Sequence, residues 1–342
     1  IEGLKPIERI KLVERLIMNN DSLLDIIELR THFFVRDWIA QAVDNVSISI
    51  APGQTLGLVG ESGCGKSVTA HSIMRLIPQP PGKIIGGKIL FDGQDLVKNT
   101  EKQMRKIRGN RISMVFQEPM TSLNPVFTVG DQVSEVIELH TNISKKELKN
   151  RVIEMFKLVG IPDPEKRPHE YPHQMSGGMR QRVMIAMALA CGPRLMIADE
   201  PTTALDVTIQ AQILDLMNRL KAETGAAILF ITHDLGVIAQ MAQMVAVMYA
   251  GKIVEYTDVK TLFANPKHPY TIGLMESIPV LGKNMEMDRL QTIKGSVPSL
   301  FDLPRGCYFS NRCPDVFKDC MTTSPQICNI SENHYVRCLK YA

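Results

Sequence analysis

Apolar residues recur along the chain in two rhythms, every second position and every third or fourth, and the switches between them mark out the elements. Ile7, Ile10, Val13 and Ile17 stand at helical spacing among Glu, Arg and Lys. This predicts an amphipathic helix in an N-terminal extension, residues 1–22, packed on a neighbouring surface in preference to entering a membrane. Leu23–Val35 and Val46–Ile50 alternate as strands do, and Gln54–Val59 is a short apolar run ending at Gly60, as in a buried strand that enters a loop. Ile89–Phe91 followed by Asp92-Gly93 reads as a hairpin edge, and Arg111–Phe116 as another strand. Residues 130–160 are helical in rhythm. Helix Ser176–Cys191, strand Arg194–Ala198, helix Thr208–Glu223, strand Ala226–Thr232, helix Leu235–Met241 and strand Met244–Tyr249 then alternate. Such alternation predicts a largely parallel sheet covered by helices. The rhythm breaks near Pro266. Pro279–Pro304 reads as a linker, and the segment from Cys307 onward is Cys-rich with little periodicity. There is no internal repeat or low-complexity tract.

Composition narrows the classes. The 342 residues are 44% hydrophobic and 22% charged, enough for a globular core. Lys+Arg (39) nearly balances Asp+Glu (36), so charge gives no reason to expect a nucleic-acid partner. No apolar run approaches the ~18–20 residues that span a bilayer, so a membrane role requires a membrane-embedded partner. No charged start precedes an apolar block and cleavage site, so secretion is not expected. The chain does not begin with Met, which points to a longer natural N-terminus.

Gly60-Glu61-Ser62-Gly63-Cys64-Gly65-Lys66-Ser67 matches G-x-x-x-x-G-K-[ST] between a predicted strand and a predicted helix. In such a loop the glycines let backbone N–H groups turn toward phosphate oxygens, and the helix adds its positive N-terminal end. Lys66 reaches the β- and γ-phosphates, and the Ser67 hydroxyl ligates Mg²⁺. Cys64 reads as a filler side chain, with oxidation of its thiol the alternative. Leu195–Ala198 is an apolar strand that ends in Asp199 and Glu200. Asp199 is placed to hold the Mg²⁺ shell, and Glu200, one residue on, to polarise an attacking water as general base. Ser176 can cap a helix whose first glycines, Gly177 and Gly178, leave N–H groups open to an anion.

The order of these motifs resembles the ABC ATPase family. Met175-Ser176-Gly177-Gly178-Met179 stands where the family has a Leu-Ser-Gly-Gly-Gln signature, with Met in the last place. The resemblance implies a Q-loop glutamine at Gln117 that senses Mg²⁺, a D-loop at Ala204-Leu205-Asp206 and a switch histidine at His233 that contacts the γ-phosphate. It also implies an aromatic that stacks on adenine, with Trp38 the candidate and Phe34 second, and a core role for either the alternative. The implied fold is an α/β P-loop ABC ATPase core over residues 23–265, a mixed sheet with helices, an antiparallel β subdomain and a helical subdomain at about 118–191. A linker and a Cys-rich C-terminal domain follow at 266–342.

Longer runs narrow the resemblance to the oligopeptide/dipeptide import type: Gly60–Gly63, Gln117–Pro125, Asn265–Thr271, and Gly306-Cys307 with Arg312-Cys313-Pro314. That type implies two membrane permease subunits, a second ATPase chain related to this one, and a solute-binding protein outside the membrane. It places the chain on the cytoplasmic face of the cell membrane. ATP would lie between the Walker motifs of one ATPase chain and the Ser-Gly-Gly backbone of the other, and its hydrolysis would power import of peptides or a related small solute. A soluble ABC ATPase acting on DNA or ribosomes is the rival, disfavoured by the single cassette and the lack of heptads.

Cys307, Cys313, Cys320 and Cys338 are spaced C-x5-C-x6-C-x17-C, with Cys328 between the last two and spare. No C-x2-C pair is present, which speaks against a zinc ribbon. Thiolates at such spacings can converge on an iron–sulfur cluster, and the resemblance implies [4Fe-4S] there. Zinc or simple packing are the alternatives.

Overall fold

The computed structural model describes residues 22–117, 122–203, 205–278 and 292–342. The expected N-terminal helix, Glu118–Thr121 of the quoted run, Ala204 and residues 279–291 of the expected linker lie outside them. The chain divides into two compact units. One comprises Ile1–Ala51, Thr55–Val97 and Thr232–Ala342, and the other Pro52–Gln54 and Lys98–Ile231.

In the first unit, β1 (Leu24–Val35) and β2 (Trp38–Ile50) form a long hairpin that pairs Leu24 with Ile50 and Val35 with Trp38. β4 (Gly82–Phe91) lies antiparallel on the other side of β1, and β5 (Gln94–Asp95) closes the edge. This is the expected antiparallel sheet. Asp92 and Gly93 both take positive φ, as the tight β4–β5 turn requires. β3 (Thr55–Val59) is buried throughout and leads through residues 60–65 into α1 (Lys66–Ile73).

In the second unit, α2 (Glu101–Ile107) precedes β6 (Ile112–Val115). The helical rhythm of 130–160 resolves into α3 (Val129–His140) and α4 (Lys145–Leu158). Side chains cut it: Thr128 caps α3, and Ser144 with Glu147 forms a capping box at the start of α4. α5 (Gly177–Leu189), β7 (Leu195–Asp199), α6 (Val207–Thr224) and β8 (Ala227–Thr232) follow at nearly the expected places. β7 lies parallel between β6 and β8. It is buried along its whole length, which is why its sequence is a continuous apolar run.

The chain returns to the first unit with α7 (Leu235–Met241) and β9 (Met244–Tyr249), which pairs parallel with β3. β10 (Lys252–Asp258) turns back antiparallel on β9, so the sheet is mixed. α8 (Val259–Ala264) and α9 (Pro269–Glu276) precede the Cys-rich segment. That segment is more than a tail. Its β11 (Cys328–Ser331) and β12 (His334–Val336) extend the sheet, with Val336 opposite Glu255 of β10. Among the described residues no helix is long and apolar enough to cross a membrane.

Candidate functional site

The loop at residues 60–67 is shaped by its backbone. Gly65 caps α1 at φ +109, and a Cβ there would stand 2.2 Å from the Ala42 carbonyl oxygen. Lys66 is buried, and its Nζ donates to the carbonyls of Gly60 (2.7 Å) and Glu61 (3.1 Å). The ammonium thus folds back over its own loop. Cys64 is 1% exposed, and burial pushes its thiol pKa up against the pull of the Lys66 ammonium. Burial of this kind lowers a thiol's reactivity, which favours the filler reading over oxidation.

Glu61 is anchored from the C-terminal segment. Its N–H donates to Tyr270 Oη at 2.9 Å, and its carboxylate accepts from Arg312 Nη1 (2.8 Å) and Nη2 (3.1 Å). Burial opposes the Arg312 charge, but its hydrogen bonds to Glu61 and Tyr249 outweigh that and raise its pKa. Sequence reasoning quoted both Tyr270 and Arg312 within longer runs without giving either a role.

In the other unit, buried β7 ends at Asp199, which is 3% exposed, and Glu200 follows at φ +46. A non-glycine residue held in that region is strained by about 1–3 kcal/mol and persists only where its surroundings fix it. Here the Glu200 N–H donates to the Ile231 carbonyl at 2.9 Å. Its Oε2 accepts from Gln117 Nε2 (3.2 Å) and from Thr203 Oγ1 (3.0 Å). The Q-loop and strand-end candidates therefore meet directly, and Thr203 joins them unforeseen. Ser176 caps α5 by accepting from the Met179 N–H at 3.3 Å, as expected. Gly178 is also required by packing, since a Cβ there would lie 2.8 Å from Ile209.

His233, just beyond β8, is exposed. Trp38 and Phe34 lie beside the β1–β2 turn, 62% and 43% exposed, so neither is a core residue.

Cys307, Cys313, Cys320 and Cys338 all line one small cavity beside His268, while Cys328 does not. Gly306 allows this close approach: a Cβ there would stand 2.3 Å from the Cys320 carbonyl, which accepts from the Cys307 N–H. Burial first, and the neighbouring thiols next, raise the pKa of Cys307 and of Cys338, while Cys313 is pushed up to about 11 chiefly by burial. As the side chains stand, no group of three or more His, Cys, Asp or Glu among the described residues is arranged to hold a metal ion. Four thiols around one cavity are nonetheless a donor set suited to a soft cation.

Residues 43–203 match the ABC transporter family profile, and residues 254–320 match the oligopeptide/dipeptide transporter C-terminal region. A putative peptide import ATP-binding protein of Brucella ovis is 53% identical over 333 residues, covering 95% of this chain and 98% of that one. The oligopeptide transport ATP-binding protein AppD of Bacillus subtilis is 51% identical over 320 residues, covering 94% and 97%. Among solved structures, a dimeric bacterial ABC transporter cassette superposes with a TM-score of 0.62 at 27% identity, covering 69% of this chain and 98% of that one. With relatives of this identity over almost its whole length, the chain belongs to the ABC transporter ATP-binding family, in the branch that carries the oligopeptide/dipeptide C-terminal region.

Proposed function

We propose that this chain binds and hydrolyses ATP to power import of di- or oligopeptides, or a related small solute, through an ABC transporter. The observation that carries this reading is half-identity to peptide-transport ATP-binding proteins over more than nine-tenths of the chain. The preformed loop around Lys66 supports it.

In this reading residues 60–67 bind the phosphates and Lys66 leaves its carbonyl partners for the β- and γ-oxygens. Ser67, Gln117 and Asp199 supply hydroxyl, amide and carboxylate oxygens, a hard donor set suited to Mg²⁺. When bound, the ion neutralises charge that develops between the β- and γ-phosphates. Glu200 takes the proton of the attacking water, with Gln117 and Thr203 orienting its carboxylate. His233 contacts the γ-phosphate, and Trp38, or Phe34 in its place, stacks on adenine. Ser176, Gly177 and Gly178 complete the site of a second, related ATPase chain, with Met179 tuning that contact. The domains proposed are an extension at 1–22, an ATPase domain at 23–265 with its helical part at 118–191, and a linker and C-terminal domain at 266–342. The partners are two permease subunits and, indirectly, an extracytoplasmic solute-binding protein, with this chain at the cytoplasmic face of the membrane.

Cys307, Cys313, Cys320 and Cys338 hold a [4Fe-4S] cluster in this reading, which would fasten the C-terminal segment. Their shared cavity supports it. Anaerobic purification with iron and sulfide analysis tests it, and zinc without iron overturns it. The function is tested in the native host: deleting the chain should abolish uptake of labelled peptides. Wild-type protein should restore uptake and Glu200→Gln should not. Unchanged uptake in the deletion strain rejects the reading.

A further inference from the structure

The loop at 60–67 is held from outside itself. Glu61 is bound at its N–H by Tyr270 and at its carboxylate by both Nη atoms of Arg312, 251 residues away. Arg312 is not free to follow Glu61. Its side chain is 6% exposed, its Nε donates to the Lys294 carbonyl at 3.0 Å, and its guanidinium also reaches the Ile293 carbonyl (3.4 Å) and Tyr249 Oη (3.4 Å). A fork fixed at this many points sets the position of its partner. The Glu61 carbonyl is in turn an acceptor for Lys66 Nζ, so the peptide that Arg312 and Tyr270 hold is one that the lysine rests on.

Charge gives the pair a second purpose. Glu61 puts a carboxylate into a loop whose ligand would carry several negative phosphate oxygens. Left uncompensated at such range, that carboxylate repels the ligand. Arg312 neutralises it and turns it aside.

We propose that Arg312 is a positioning residue for the phosphate loop, through which the C-terminal segment sets the chain's affinity for ATP. The proposal rests on residues 60–67 being the phosphate loop, and adds that this loop is competent only while the segment holds Glu61. Arg312 immediately precedes Cys313 of the thiol cavity.

The test uses the full chain and titrates Mg·ATP by calorimetry, with turnover measured in the assembled transporter. Arg312→Ala should weaken ATP binding roughly 5- to 20-fold and raise KM in proportion, with kcat at saturating ATP within about twofold of wild type. A merely structural loss would lower kcat and the melting temperature together instead of splitting KM from kcat. Adding Glu61→Gln to Arg312→Ala should recover most of the affinity, because the uncompensated carboxylate is gone. If Arg312→Ala does not fold, Arg312→Lys decides, since it keeps the charge and loses the fork, and it should bind ATP between the wild type and the expected Ala value. Wild-type affinity in folded Arg312→Ala or Arg312→Lys overturns the proposal, as does a double variant as weak as Arg312→Ala. Lys66→Ala separates the two readings: if it binds ATP normally, the loop assignment itself falls, whatever Arg312 does.

Discussion

The proposed phosphate loop and the cysteine cavity belong to one unit of the molecule, yet they would be prepared for ligands in opposite ways. At the loop, backbone builds the receptor. Gly65 sits where no side chain fits, and Lys66 waits on the carbonyls of Gly60 and Glu61. At the cavity, side chains would be the receptor in the proposed reading, and burial raises the pKa of Cys307, Cys313 and Cys338, favouring their neutral form. A thiol must lose its proton to become a ligand, so a cation would have to complete that site. Backbone can be preorganised without its ligand, whereas a set of like charges cannot.

The largest expected effect tests the backbone half of this contrast. Gly65→Ala should weaken ATP binding by roughly 10²-fold, because strain at φ +109 and a clash with the Ala42 carbonyl together cost a few kcal/mol in the binding-competent loop. Calorimetry on the folded variant measures it. Binding within threefold of wild type would mean that the loop is formed by its ligand, and the contrast would fail.

How much could be read from the sequence follows the same division. The phosphate loop is eight consecutive residues whose types leave few alternatives, and Glu200 is legible because a buried parallel strand must be a continuous apolar run. The C-terminal segment was opaque for physical reasons. β11 and β12 span four and three residues, too short for alternation to register. β10 was missed because Glu255 and Thr257, each 1% exposed, occupy buried positions where the pattern calls for apolar side chains. Nothing local to Arg312 points to Glu61, which lies 251 residues away along the chain. The candidate residues were therefore legible where the pattern is local, whereas the contact of Arg312 with Glu61, made across 251 residues, was not.

Glu255 offers a middle-sized test of what holds the cavity together without a ligand. Its buried carboxylate accepts from the Lys267 N–H (2.8 Å), the His268 N–H (2.9 Å) and His334 Nε2 (2.9 Å), joining β10 to both the start of α9 and β12. Glu255→Gln keeps the volume but turns an NH₂ group toward donors. It should cost about 1–3 kcal/mol of stability in urea unfolding. Reactivity of Cys320 and Cys338 toward a thiol reagent should rise with it. Unchanged stability and reactivity would place the anchor elsewhere, with the buried Arg337 next in line through its bonds to the Ile253, Asn45 and Pro325 carbonyls.

His268 gives the smallest effect and one with a sign fixed in advance. It caps α9 by accepting from the Tyr270 N–H, is 2% exposed, lines the thiol cavity, and has its pKa pushed down to about 3 by burial. In the unfolded chain an imidazole takes a proton below about pH 6.5. Between that pH and about 3 the unfolded state binds a proton that the folded state refuses, so stability must fall as pH falls through this window. The contribution is complete above pH 6.5 and shrinks by at most about 1.4 kcal/mol per pH unit below it. His268→Asn keeps an acceptor for the Tyr270 N–H and removes the titrating ring. Loss of the ring beside Phe309 shifts stability at every pH, so the diagnostic is the slope. Urea unfolding from pH 7.5 to 4.5 should show the variant losing stability less steeply than wild type below pH 6.5. Parallel curves would mean that His268 protonates in the folded chain, and hence that the cavity it lines admits water and charge even before any cation enters.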